Sequence, residues 1–194
     1  MLQRKIMNNG LTPSGFFKIA QKYLINTIFD AVNTIMGIIL GLFFSQVSSF
    51  EIISISCFST AIAMGISSGT GNYEAEFLEQ KRTIHEIEGD MLETFPESTW
   101  KPKAMKISFL VGLLCFLTPG LIASIIILVL YIMEGTVLSF ILAIFILLSI
   151  LFLMGFYVGT HNDEIKPIKS SLRMLIIGIS TFILIFLLSR FTSG

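Results

Sequence analysis

Asp30 is the one formally charged residue away from the ends of the long apolar runs of this chain, and its neighbours are groups that can bind cations. Asp30, Thr34, Gly37 and Gly41 recur at spacings of four, three and four, which sets them on one helix face with Asn33 and Asn26 nearby. A charge near the centre of a membrane helix costs about 2.5 to 3.5 kcal/mol on insertion scales. No Lys or Arg is available at that depth, so protonation, hydrogen bonding or a bound cation must compensate it. The next apolar run carries Ser56, Thr60, Ala63, Ser67 and Thr70 at helical spacing. In antiparallel helices Asp30 and Ser67 each lie ~10 Å inside the same end, so the two polar faces are expected to meet at one level. Met64, one turn deeper than Ser68, adds a soft thioether to these hard oxygens, a mixture suited to a transition metal rather than calcium. Helix packing accounts equally for the small residues, because Gly37-xxx-Gly41 and Gly65-xxx-Gly69 are patterns that bring backbones together.

A second group of acids follows. Glu74, Glu76, Glu79, Glu86, Glu88, Asp90, Glu93 and Glu97 put eight of the thirteen acidic residues between Glu74 and Lys106. Good helix formers without Pro run from Glu74 to about Leu92, so the second helix is expected to continue beyond its apolar part, to Gly89 or to the break at Phe95-Pro96. Glu79, Glu86, Asp90 and Glu93 share a face, with His85 beside them. Carboxylates so spaced repel one another unless a cation binds, and with an imidazole they suit a transition metal. The alternative is a solvated acidic face whose carboxylates pair with Lys81 and Arg82.

The elements that must hold these residues are membrane helices. Of 194 residues 54% are hydrophobic and 13% charged, about half the charge usual for a soluble domain. Crossing about 30 Å of hydrocarbon takes about 20 apolar residues. Five such runs occur, at Tyr23 to Phe44, Ile52 to Tyr73, Ile107 to Met133, Thr136 to Thr160 and Leu172 to Ser189. The last is the shortest, with Arg173 and Arg190 placed to snorkel from its ends, and Pro119-Gly120 predicts a kink in the third. Twelve of thirteen basic residues fall on one side of five spans, so the N-terminus is expected in the cytoplasm and the C-terminus outside or in a lumen. Residues Met1 to Pro13 lack an apolar stretch with a cleavage site, so no cleavable signal is expected. Acids and bases cancel, which argues against nucleic acid as a partner. Cys57 and Cys115 lie within apolar runs and read as small buried hydrophobes, not a disulfide framework.

With these residues in view, Phe29-Asp30-Ala31-Val32-Asn33-Thr34-Ile35-Met36-Gly37, with Gly41 after it, resembles the first-helix signature of the vacuolar iron transporter family, Asp-Gly-x-x-Thr-x-x-Gly. Ser67-Ser68-Gly69-Thr70-Gly71-Asn72-Tyr73 is similar to the end of that family's second helix, usually Ser-Met-Ala-x-Gly-Glu-Tyr, with glutamates following. Leu151 to Gly159 and the Gly178-containing fifth run are similar more loosely. The resemblance implies a five-helix protomer in a two-fold dimer that moves ferrous iron, manganese or similar ions out of the cytoplasm in exchange for protons. It implies Asp30 as the membrane-embedded ligand and Glu76, Glu79, Glu86 and Glu88 as part of a cytoplasmic collecting segment. Ser68 stands where the family places a ligand Met, Asn72 stands where it places a Glu, and the acidic loop is shorter than the family's metal-binding domain.

The expectation is therefore an all-α integral membrane protein, one transmembrane domain over residues 1–194 with an acidic cytoplasmic helical segment over residues 74–104. It would lie in the cell membrane of a prokaryote or a vacuolar-type membrane of a eukaryote, surrounded by lipid, as a symmetric homodimer. Divalent metal and protons would be its substrates, with no permanently bound cofactor. The ion path would follow Asp30, Thr34, Met64, Ser67, Ser68 and Asn72, and the carboxylates from Glu74 onward would gather the metal. A non-transporting scaffold on the same fold is the main alternative, with Asp30 neutral and bonded to Asn33 or Thr34. A lipid enzyme would rest on His161, Asp163 and Glu164 alone. There is no HExxH, hydrolase triad, P-loop or dinucleotide fingerprint, so no enzyme activity is expected.

Overall fold

A computed structural model describes residues 13–47, 49–91, 96–133, 136–161 and 166–192. They form α1 (Pro13–Phe44), α2 (Phe50–Met91), α3 (Glu97–Ile132), α4 (Val137–Thr160) and α5 (Pro167–Thr192). Each helix is long and apolar enough to cross a membrane. The described chain is thus all-helical, with the make-up of an integral membrane protein. In lipid a backbone must satisfy its own hydrogen bonds, and apolar runs of this length do so as helices.

The five expected spans are all present; four of the helices begin earlier than expected, and α4 matches its expected bounds to within one residue. Helix α3 begins at Glu97 rather than Ile107, and α5 at Pro167 rather than Leu172, which makes α4 and not α5 the shortest helix. Proline suits the first turn of α5 because its missing N–H has no intrahelical partner there. Helix α3 continues through Pro119, which is fully buried. The expected extension of the second helix is observed, since α2 runs unbroken to Met91. Glu93, Glu134, Asp163, Glu164 and the expected break at Phe95 lie outside the described residues, as do the side chain of Asp90 and residues 1–12.

Helix α1 closes without glycine. Val47 N–H donates to the Leu42 carbonyl at 3.0 Å and Gln46 N–H to that of Phe43 at 3.1 Å, the two bonds of a Schellman motif. Gln46 holds the left-handed position, at φ 57°.

Contacts divide the chain into two units, Met1–Thr27 with Met64–Thr118, and Ile28–Ala63 with Pro119–Gly194. In the first unit α2 and α3 run antiparallel at close range: a Cβ on Gly112 would lie 2.7 Å from the Gly69 carbonyl oxygen, and one on Gly65 would lie 2.6 Å from that of Phe116. The packing reading of Gly65-xxx-Gly69 is therefore the observed one. Ala20 and Tyr23 of α1 bury against Val111 and Cys115 of α3. Farther along α2, Ile84 packs with Trp100 and Ala104 of α3, and Phe77 joins them. These two apolar positions, seven residues apart on one face, anchor the acidic part of α2.

In the second unit α4 and α5 form an antiparallel pair. Buried Ser139, Ala143, Leu147, Leu151, Gly155 and Gly159 make a stripe along α4 at intervals of four. Gly155 faces the backbone of Ser171 and Gly159 that of Pro167, while Gly178 meets Leu151 and Leu148. Helix α1 runs parallel to α5 here, since Asn33 meets Thr181 and Gly37 meets Ile185. Phe44 stacks edge-on against Phe182 and Phe186.

Candidate functional site

Four-residue spacing on two facing helices creates a polar row in the first unit, with Tyr23, Thr27 and Glu76 buried and Asn72 and Gln80 half-buried. Tyr23 and Thr27 lie four apart on α1, and Asn72, Glu76 and Gln80 lie four apart on α2, so each set points one way. Because the helices are antiparallel, Thr27 meets Asn72 and Tyr23 meets Glu76. Asn72 Nδ2 donates to Thr27 Oγ1 at 3.2 Å. The Tyr23 hydroxyl is hydrogen-bonded to Glu76. Gln80 Nε2 donates to Glu76 Oε1 at 2.6 Å. Thr27 is 2% exposed and Glu76 3%.

Glu76 is the chemically telling member. A carboxylate removed from water is stable only when hydrogen-bonded and balanced by positive charge, or when it carries a proton. Glu76 has two hydrogen-bond partners, both neutral, and forms no ion pair among the described residues.

The other residues singled out from the sequence have different surroundings. Ser68 Oγ lies 2.7 Å from the Met64 carbonyl and 3.1 Å from that of Cys115, so it ties α2 to α3. Met64 is half-buried, whereas Ser67 and Thr70 are exposed and Thr70 Oγ1 bonds back to the Ile66 carbonyl at 2.7 Å. In the second unit Asp30 is exposed on α1 and Thr34 half-buried. Asn33 donates to the Phe29 carbonyl at 2.9 Å and accepts from Thr181 at 3.3 Å, so it serves the α1–α5 pair.

Along the acidic part of α2 the carboxylates are dispersed. Glu74 and Glu79 are exposed. Glu86 pairs with Arg82 at 3.1 Å, with both side chains mostly in solvent, and such a pair contributes little to stability. Glu88 Oε2 lies 2.9 Å from His85 Nδ1. Among the described residues no three of His, Cys, Asp and Glu gather where they could hold one metal ion. His161 turns to its own helix, 3.1 Å from the Tyr157 carbonyl.

Sequence reading missed Tyr23, Thr27, Gln80 and Thr181. The four-residue spacing of Asn72, Glu76 and Gln80 was a usable signal, but their partners are on another helix and share no local pattern with them. The chain matches no protein-family model, no curated protein and no solved structure.

Proposed function

We propose that this protein transports divalent transition-metal ions of the iron(II) or manganese(II) kind out of the cytoplasm in exchange for protons, in the manner of the vacuolar iron transporters that its first two helices resemble. Glu76 carries the reading: a buried carboxylate held only by neutral partners among the described residues offers a charge that a cation can balance. Asp30, a carboxylate within the α1 span, supports it as the membrane-embedded ligand. Its exposure in the single chain favours a two-fold dimer, because a second copy shields it from lipid. Asn72 and Ser68 are engaged in helix contacts within the first unit.

Glu76→Gln tests it. The amide keeps the size of the side chain and a carbonyl oxygen for Gln80 and Tyr23, so the variant should fold. In proteoliposomes metal-driven proton movement is expected to fall at least tenfold. Unchanged flux would remove Glu76 from the mechanism.

The dispersal of the acidic residues supports a second reading, a membrane scaffold that moves no ion. It predicts no flux for any divalent metal in wild type or variant, with equal stability for both.

A further inference from the structure

The start of α5 carries a stripe whose chemistry changes along its length. Lys166, Lys169 and Arg173 follow one another at three and four residues, and Ile176 and Ile177 continue the same face by three and four. Together with Leu172 they line a groove of about 780 Å³. None of the three cations forms an ion pair or hydrogen bond among the described residues, whereas Arg82 and Lys101 pair with Glu86 and Glu97. Leu172 and Ile176 are more than half exposed. The helix is of membrane-spanning length, so its charged end lies at one membrane surface and the isoleucines farther in.

We propose that this groove binds an anionic glycerophospholipid, with the phosphate between Lys169 and Arg173, Lys166 beside the headgroup, and an acyl chain along Leu172, Ile176 and Ile177. Charge complementarity selects the anion, since the groove has positive charge and no acid among its described lining residues. The apolar continuation selects a lipid over a free phosphate, because a soluble anion leaves the isoleucine half of the groove unfilled.

Native mass spectrometry of the full chain, titrated in detergent with phosphatidylglycerol or phosphatidylcholine, tests the site. Wild type should retain one phosphatidylglycerol per chain in preference to phosphatidylcholine. Affinity should fall roughly fivefold for each cation removed, and about a hundredfold in K166Q/K169Q/R173Q. K101Q/K103Q/K106Q, which removes the same charge from α3, should bind as wild type does. Ile176→Ser should weaken lipid binding, and inorganic phosphate and glycerol phosphate should fail to displace the lipid. If the triple variant does not fold, Lys169→Gln alone should show the fivefold loss. Equal losses in both triple variants, equal retention of phosphatidylcholine, or displacement by inorganic phosphate at lipid-like concentration would each overturn the proposal.

Discussion

Asp30→Asn is expected to abolish metal-dependent flux while leaving the protein folded. The substitution keeps the shape of the side chain and removes its ability to carry a negative charge, so on the proposed transport reading a cation loses its membrane-embedded counter-charge. Removing one partner of a desolvated charge pair costs about 3 kcal/mol or more, which corresponds to a loss of roughly a hundredfold in cation affinity. Folding should be preserved or improved, because an amide within the span is cheaper to bury than a carboxylate. The measurement is uptake of ferrous iron, manganese, cobalt and zinc in turn into proteoliposomes containing a pH-sensing dye. Flux equal to wild type would take Asp30 off the path. No flux from either protein, with both equally stable, would favour the scaffold.

Gly155→Val should have the largest effect on stability. A Cβ at Gly155 would lie 2.5 Å from Ser171 Cα and 2.9 Å from the Ser170 carbonyl oxygen, and backbone atoms cannot rotate away as a side chain can. Helix α4 must therefore separate from α5 along their shared stripe. Overpacking of this kind costs about 1 to 3 kcal/mol and sometimes more, and here the α4–α5 contact itself is strained. Gly120→Ala is the control, since nothing lies within 4 Å of its added methyl, and alanine is the better helix former. Thermal unfolding in detergent, followed by circular dichroism, should show Gly155→Val melting well below wild type and Gly120→Ala at or slightly above it. Matching melting curves for the two variants would mean that the helices approach less closely than described.

Hydropathy and charge made much of the architecture legible. Apolar length fixes a span because the bilayer has a fixed thickness, and the Pro-free run after Tyr73 announced that α2 would continue. Rotation of each helix about its axis was less legible, because lipid and a neighbouring helix are both apolar and select similar residues. Gly155-xxx-Gly159 obeys the same small-residue pattern as Gly65-xxx-Gly69, yet only the fold reveals that it seats α5. Of the candidate site, Glu76 was singled out by the acidic run and the resemblance and Asn72 by the resemblance alone, but their contacts depend on Tyr23 and Thr27 across the helix pair. Ser68 read as a site residue because its sequence neighbourhood resembles a metal-binding one, whereas its hydroxyl lies against the Cys115 carbonyl.

Trp100 is the protein's one tryptophan, and it is 6% exposed where α3 holds Ile84 of the acidic extension of α2. The molecule therefore contains its own optical gauge: indole emission shifts to longer wavelength as water reaches the ring. A red shift on adding divalent metal would report that the extension lifts from α3 when cations arrive, and a constant spectrum would report that it stays seated throughout.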